Sequence, residues 1–286
     1  MRLGYQIPNF TYPGVGPDGL FDAVVAQARA AEASGFDTVL VMDHFYQLPL
    51  LGRPDDHMLE CYTLLAALAV ATERVQLSSL VTGNTYRSPS LLAKTVTTLD
   101  IVSGGRAMLG IGAGWFELEH DSLGFEFGTF TQRFEKLEEA LSIIGPMLRG
   151  ERPTFEGRHY RVEDAINEPR PLHRVPIMIG GAGEKKTLRL AAEYADESNL
   201  NCSVPEIPRK LDVLAAHCER VGRDPSEVSV TRLGTVIISS THEGAEEARR
   251  SFFAAQGVDW DALDESVRST VMERIVMGDP DEVRAG

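Results

Sequence analysis

The sequence contains few cysteines, few tryptophans and no long apolar run. Of its 286 residues, three are cysteines and two are tryptophans. Cys61, Cys202 and Cys218 show no CxxC spacing, so they predict free buried thiols in a reducing cytoplasm. No apolar stretch approaches the roughly 20 residues that span a membrane. The first residues, MRLGYQIP, lack the architecture of a signal peptide.

Positive charge is also scarce. The chain has 28 Lys and Arg against 42 Asp and Glu, which gives a formal net charge of −14. Such an acidic chain is not expected to bind a nucleic-acid backbone or an anionic membrane. Any phosphate site must therefore be local. The sequence has no GxGxxG or Walker loop, no nucleophile elbow and no metal-ligand spacing.

The most informative segment is residues 75–115. It begins with an apolar run at 75–81, Pro89 then suits the first turn of a helix, and apolar residues recur with helical period to Val102. Residues 107–112 predict a second buried strand. Two parallel strands joined by a helix form a βαβ unit, and in barrels of such units the active site lies at the carboxyl ends of the strands.

The same alternation extends along the chain. Strands are predicted at residues 3–8, 38–42, 75–81, 107–112, 176–180, 197–200 and 228–239. Helices are predicted at 18–34, 58–72, 89–102, 130–148, 184–194, 208–221 and through 243–277, with a hairpin-like insertion at 150–175 between helix four and strand five. This pattern predicts an α/β protein, a (β/α)8 TIM barrel in a single domain over 1–286. Because a closed barrel needs eight strands, we expect the natural chain to continue by a final helix and strand.

Six segments resemble the luciferase-like monooxygenase superfamily, in particular its branch that uses the deazaflavin coenzyme F420. They are GYQIPNF, VLVMDHF, LVTGNTYRSPSLLAK, LDIVSGGRAMLGIGAGW, TFEGRHYRVEDAINEPRP and PIMIGGAGEKKTLRLAAEYAD, in family order. The resemblance implies a cytoplasmic oxidoreductase that transfers a hydride between F420 and a small organic substrate. The alternatives are an FMN-dependent monooxygenase that uses molecular oxygen and a non-catalytic flavin-binding relative. Whether the protein forms a homodimer is left open.

The resemblance also implies site residues at the strand ends. Asp43 would contact the coenzyme and His44 would stabilise charge or move a proton, since imidazole titrates near neutrality. A strand-end histidine with ordinary hydrogen bonds is the alternative. Thr82 ends strand three, where the family has a non-proline cis peptide. The two candidate bonds are Ser79–Leu80 and Leu80–Val81.

Two glycine-rich loops complete the implied coenzyme site. Gly112 and Gly114 end strand four, where small residues let a planar ring approach the backbone. Gly180, Gly181, Ala182 and Gly183 form a loop that opens a helix at Glu184 and suits a phosphate; a tight turn is the alternative. Asn199 ends strand six, within hydrogen-bonding reach of the ring or ribityl chain.

Trp115 and Tyr86 are the predicted substrate-pocket residues. Sugar-phosphate dehydrogenases of the branch carry a glutamate where Trp115 stands, so this departure argues against sugar-phosphate activity and predicts an aromatic wall. Glu117, Glu119 and His120 follow closely. Whether one of them supplies a proton or all are surface charges is left open.

Overall fold

The computed structural model describes residues 2–49, 51–255 and 258–285. Its strands are β1 (Gly4–Ile7), β2 (Thr38–Val41), β3 (Gln76–Ser79), β4 (Thr82–Gly83), β5 (Ala107–Gly112), β6 (Phe155–Glu156), β7 (Arg161–Val162), β8 (Ile177–Gly180), β9 (Glu197–Leu200), β10 (Ser229–Arg232), β11 (Thr235–Ile238) and β12 (Ile275–Gly278). Its α-helices are α1 (Leu20–Ala33), α2 (Cys61–Ala71), α3 (Pro89–Ser103), α4 (Glu117–Leu123), α5 (Phe130–Leu148), α6 (Thr187–Tyr194), α7 (Ile207–Arg220), α8 (His242–Ala255), α9 (Glu265–Met272) and α10 (Pro280–Ala285).

A parallel sheet of eight strands forms the centre of the molecule. Neighbouring strands follow the order β1-β2-β3-β5-β8-β9-β10, and β4 also pairs with β5. All of these pairs are parallel, so the carboxyl ends of the strands meet at one edge. β2, with the sequence TVLV, is buried at every position, as a strand covered on both faces must be. The predicted βαβ succession is confirmed from β1 to β10.

The helix ends follow local chemistry. Pro89 occupies the first turn of α3, and Gly104 ends that helix in the left-handed conformation with φ of 69°. Thr129 and Gln132 form a capping box at the start of α5. Among the described residues, no helix is long and apolar enough to span a lipid bilayer. All three cysteines are free and buried, as predicted.

The last third of the chain corrects the prediction. The strand predicted at 228–239 is broken into β10 and β11, and β11 leaves the central sheet to pair in parallel with β12. The prediction of helix through 243–277 is wrong at its end, because Ile275, Val276 and Met277 lie in β12. A four-residue apolar run has no readable period, so its β-branched residues and its partner strand decide its structure.

The predicted insertion is confirmed. β6 and β7 form an antiparallel hairpin between α5 and β8. Glu139 of α5 fastens the hairpin, because its carboxylate accepts the backbone N–H groups of Arg158, His159 and Tyr160 at 2.8, 2.9 and 2.9 Å. Burial would raise the pKa of Glu139, but these three hydrogen bonds outweigh burial and lower the pKa.

We expect Glu139→Gln to loosen this hairpin, because one amide oxygen cannot replace two carboxylate oxygens. The lowered folded-state pKa means that Glu139 stabilises the fold above its unfolded pKa, and that this stabilisation is lost as pH falls through the folded value. Unfolding free energy in denaturant, measured from neutral pH to about pH 3, should therefore fall less steeply in E139Q than in the wild type.

The control is Glu156→Gln, which removes an exposed carboxylate from the same hairpin. Faster hydrogen exchange at residues 158–160 is expected in E139Q and not in E156Q. Equal exchange rates and equal pH dependence in both variants would contradict the assignment.

Candidate active site

Asp43 lies at the carboxyl end of β2 and is fixed by an arginine. Arg87 donates to both of its carboxylate oxygens, from Nη1 at 2.6 Å and from Nη2 at 3.1 Å. Nη2 also donates to Glu60 at 2.6 Å, and the guanidinium lies 4.7 Å from the centre of the Tyr62 ring. Asp43 is only 1% exposed. The carboxylate therefore anchors the strand end with both oxygens engaged.

The charges in this cluster support one another. Burial raises the pKa of Asp43, and Arg87 opposes that rise. Burial would lower the pKa of Arg87, but the negative charge of Asp43 outweighs it and raises the pKa. Because a guanidinium stays protonated and makes two hydrogen bonds to Asp43, we treat the two residues as an ion pair.

His44 follows directly and is paired with Glu119. Nδ1 of His44 lies 2.9 Å from Oε2 of Glu119, whose side chain is fully buried. The other oxygen, Oε1, accepts the backbone N–H groups of Phe45 at 2.5 Å and Tyr46 at 2.8 Å. The Tyr86 hydroxyl donates to Oε2 at 2.6 Å. One carboxylate thus organises the chain from His44 to Tyr46.

The pKa values around Glu119 follow from these contacts. Burial would raise the pKa of Glu119, but hydrogen bonds from His44, Tyr86 and the Tyr46 N–H outweigh burial and lower the pKa. Burial and the hydrogen bond to Glu119 raise the pKa of the Tyr86 phenol. Glu119 is therefore a carboxylate at neutral pH, and Tyr86 is a neutral donor.

The sequence analysis did not predict α4, and it left open whether Glu119 supplies a proton or is a surface charge. In the structure, two of the three candidates are buried and are therefore not surface charges. Glu119 and His120 are fully buried, whereas Glu117 is exposed. The available signal was the spacing of Phe116, Glu119 and His120, which places them on one face of a short helix.

The end of β3 is held by a chain of hydroxyl groups. Ser79 donates to the Gly110 carbonyl at 2.8 Å, so Thr82, 2.8 Å from the Ser79 hydroxyl, must donate to it. Tyr62 in turn donates to Thr82 at 2.6 Å. Thr82 is fully buried. Its hydroxyl is used inside the protein, which leaves its backbone for any contact at the sheet edge.

The cis peptide implied by the resemblance is present. Of the two candidate bonds, Leu80–Val81 is the one that is cis. Val81 lies against two glycines on neighbouring strands. A Cβ on Gly112 would approach its Cγ2 to 3.0 Å, and a Cβ on Gly180 would approach its Cγ1 to 2.8 Å. Glycine at both strand ends therefore makes room for the Leu80–Val81 segment.

The glycine loop after β8 differs in part from the prediction. The helix that was expected to open at Glu184 begins at Thr187, and residues 184–186 form a turn. The Glu184 carboxylate faces α7, where it accepts from Lys210 at 2.8 Å and Arg209 at 2.9 Å. These two hydrogen bonds lower the pKa of Glu184.

The backbone of this loop remains open to a ligand. Gly181, with φ of 122°, donates its N–H to the Asn199 carbonyl at 2.9 Å. In the described part of the chain, the N–H groups of Ala182, Gly183 and Glu184 have no acceptor. The Asn199 side chain donates to the Thr231 hydroxyl at 2.9 Å, which leaves its amide oxygen as an acceptor.

Aromatic side chains line the segment after β5. Gly114 turns the chain with φ of 79°, and Arg133 holds its carbonyl at 3.1 Å. Trp115 is 60% exposed, and its ring centre lies 5.7 Å from that of His44 in an edge-to-face arrangement. Among residues 2–49, 51–255 and 258–285, no cluster of three His, Cys, Asp or Glu side chains could hold a metal ion.

The sheet edge thus places Asp43, His44, Tyr86, Trp115 and the glycine loops at the ends of adjacent strands. The arrangement offers an oriented imidazole, an aromatic surface and unpaired backbone donors. Sequence reasoning found the strand-end residues, and the structure adds the roles of Glu119 and Arg87 as their hydrogen-bond partners. Within residues 2–49, 51–255 and 258–285, the buried side-chain nitrogen of Asn84 has no acceptor, and a ligand at this edge could supply one.

Comparisons with known proteins show which enzymes this chain resembles. An F420-dependent glucose-6-phosphate dehydrogenase from Microbacterium testaceum is 33% identical over 256 residues, 87% of this chain and 72% of that protein. A 5,10-methylenetetrahydromethanopterin reductase from Methanolobus tindarius is 30% identical over 222 residues, 77% of this chain and 63% of that protein.

Solved structures extend the comparison to the fold. An F420-dependent secondary alcohol dehydrogenase, in complex with an F420–acetone adduct, superposes with a TM-score of 0.80 at 23% identity and covers 99% of this chain and 87% of that chain. This likeness confirms the luciferase-like TIM-barrel fold. The sequence model of the luciferase-like monooxygenase family matches residues 1–286. The chain belongs to the luciferase-like monooxygenase family.

Proposed function

We propose that this protein is an oxidoreductase that transfers a hydride between coenzyme F420 and a small organic substrate. The observation that carries the proposal is the His44–Glu119 pair at the carboxyl edge of the sheet, where His44 Nδ1 lies 2.9 Å from Glu119 Oε2. The relative from Microbacterium testaceum, which is named for F420-dependent chemistry, supports the choice of coenzyme. The buried free thiols support the cytoplasm as its compartment.

The residues at this edge suit a flat, phosphate-bearing coenzyme. Gly112 and Gly180 leave space around Val81. In the part of the chain that the structure describes, the buried Asn84 amide nitrogen and the N–H groups of the loop after Gly181 have no acceptor. We propose that the coenzyme is held by Asp43, Thr82, Gly112, Gly114, Gly180, Gly181, Ala182, Gly183, Glu184 and Asn199. Because the side chains of Asp43, Thr82 and Glu184 have internal partners, their contacts would come from the backbone.

Each part of the site has a role in the proposed reaction. When bound, the coenzyme supplies the carbon that gives or takes the hydride. His44 holds or moves a proton at its Nε2 atom, next to the substrate. Trp115 and Phe116, whose ring centres lie 5.7 and 5.8 Å from that of His44, exclude water from one side of the imidazole. Trp115 and Tyr86 line the substrate pocket.

We expect reduced F420 to bind measurably and FMN to bind more weakly. Titration by fluorescence quenching gives both dissociation constants on the same protein. Equal or tighter binding of FMN would instead favour the monooxygenase alternative. Oxygen uptake in the presence of reduced FMN and substrate then separates that alternative from an unproductive flavin complex.

His44→Asn should lower turnover by about 10²-fold or more, the range observed for general acid–base groups. The affinity for F420 should change much less, because the variant retains a polar side chain of similar reach. His57→Asn is the matched control, since His57 is exposed in a surface loop. The measurement is the steady-state rate with F420 and a substrate that the wild type converts. If H44N turned over as fast as H57N, His44 would have no part in the mechanism.

Gly183→Ala tests the proposed phosphate loop better than a change at Gly181, whose φ of 122° would strain any side chain. Among the described residues, a Cβ on Gly183 would have one contact shorter than 3.4 Å, with the Thr187 hydroxyl oxygen at 2.9 Å. We expect G183A to weaken F420 binding, with little effect on the isolated deazaflavin ring that lacks the phosphate tail. A loss of roughly 1–3 kcal/mol corresponds to one or two charged hydrogen bonds.

The double variant Gly183→Ala with Thr187→Ala removes the internal contact and serves as the control. If the loop binds phosphate, affinity should stay low in the double variant although its melting temperature recovers. Full recovery of affinity would show that the Thr187 contact, and not an anion, requires glycine at this position.

A further inference from the structure

We propose that Glu119 is a positioning residue that fixes the proton of His44 on Nδ1 and leaves the lone pair of Nε2 toward the substrate. The inference deepens the proposed function and rests on it for the catalytic consequence. The protonation pattern itself can be measured in the free protein. No residue of the sequence analysis had this role, since Glu119 was left there between a proton donor and a surface charge.

The hydrogen bonds around Glu119 allow only one pattern. The backbone N–H groups of Phe45 and Tyr46 can only donate, and both are directed at Oε1. Oε2 receives the Tyr86 hydroxyl at 2.6 Å and faces Nδ1 of His44 at 2.9 Å. An ionised carboxylate has no proton to give. Nδ1 must therefore carry the hydrogen, whatever the charge on the ring.

Nε2 is the nitrogen that remains available. Within the described ranges, Glu119 is the only hydrogen-bond partner of His44. Trp115 and Phe116 pack against the imidazole ring with interplanar angles of 73° in both cases. The His44 side chain is still 12% exposed. The ring is thus held at Nδ1 and packs against two aromatic rings, which leaves Nε2 to act as an acceptor.

His120 shows what a purely structural histidine looks like on the same helix. Its Nδ1 lies 2.8 Å from the Phe116 carbonyl, and its Nε2 lies 2.7 Å from the Thr85 hydroxyl. Both nitrogens are engaged and the residue is fully buried. The Tyr86 ring stacks on it, with ring centres 4.9 Å apart. His120 thereby positions α4 and Tyr86. Glu119, on the same helix, in turn contacts His44.

Replacing the carboxylate by an amide should reverse the tautomer. In Glu119→Gln, the amide oxygen must accept the N–H groups of Phe45 and Tyr46, because an amide nitrogen cannot. The NH2 group then faces His44 and Tyr86. A neutral His44 can meet this donor only with a bare Nδ1, so its proton moves to Nε2. The Tyr86 hydroxyl can turn and accept the second amide hydrogen.

The experiment is nitrogen-15 NMR of the histidine side chains in the coenzyme-free protein, at a pH where His44 is neutral. The His44 signals are assigned by their loss in H44N. We expect the Nδ1–H tautomer in the wild type and the Nε2–H tautomer in E119Q. Glu117→Gln is the matched control, since it makes the same chemical change at an exposed position of the same helix and should leave the tautomer as in the wild type.

The other outcomes are decisive in the opposite direction. An Nε2–H tautomer in the wild type, or an unchanged tautomer in folded E119Q, overturns the proposal. If E119Q fails to fold, the wild-type tautomer and Glu119→Asp still test it, because Asp preserves the charge and should keep the proton on Nδ1. Turnover with F420 should fall by about 10²-fold or more in E119Q, while F420 affinity is retained. If the His44 tautomers are as expected but the protein does not turn over F420, only the proposed function is refuted.

Discussion

A single buried carboxylate determines the geometry of this site. Glu119 lies in the interior, where an ionised group is tolerated only if its oxygens are satisfied by hydrogen bonds. Four donors satisfy it, two from the backbone after β2, one from Tyr86 and one from His44. Because those donors belong to two separate loops, the charge holds the ends of β2 and β4 against α4. The position of His44 is a consequence of that requirement.

The Arg87 cluster beside it solves the same problem in a different way. Asp43 is neutralised by a guanidinium that cannot release its proton under any ordinary condition, so this pair is a fixed part of the scaffold. Loss of Arg87 would leave Asp43 as an uncompensated buried charge, a change that typically costs about 3–5 kcal/mol. The Glu119 cluster contains an imidazole, a group that can hold or pass a proton. The adjacent residues Asp43 and His44 thus divide structure and chemistry between them.

The sequence predicted what depends on local pattern. The strands β1, β2, β3, β5, β8 and β9, Pro89 at the start of α3, the β6–β7 hairpin and the Leu80–Val81 cis peptide follow from periodicity, turn residues or family resemblance, and are confirmed. The coenzyme contacts of the strand-end residues stay predictions. They depend on a ligand and not on the chain alone.

What the sequence did not predict depends on tertiary context. The run Ile275–Gly278 becomes a strand because β11 is there to pair with it. The start of α6 is delayed to Thr187, while the Glu184 carboxylate is held by Lys210 and Arg209 of α7. Glutamate is usually found at the protein surface, and only the surrounding hydrogen-bond donors make the burial of Glu119 favourable. Charged residues in the interior are the hardest to find from sequence, since burial is rare for them and depends on partners far along the chain.

The distribution of charge around His44 bears on the substrate pocket that we propose at Trp115 and Tyr86. The resemblance implies that sugar-phosphate dehydrogenases of the branch carry a glutamate at the position of Trp115. In this protein the acid near His44 is Glu119, about one helical turn further along the chain, and it contacts the imidazole at Nδ1. The imidazole thus has a carboxylate partner at Nδ1, while the exposed indole of Trp115 packs edge-to-face against it. An indole presents a flat apolar face and a single donor. If Trp115 lines the substrate pocket as we propose, this wall offers a substrate apolar contact and one hydrogen-bond donor, and no positive charge.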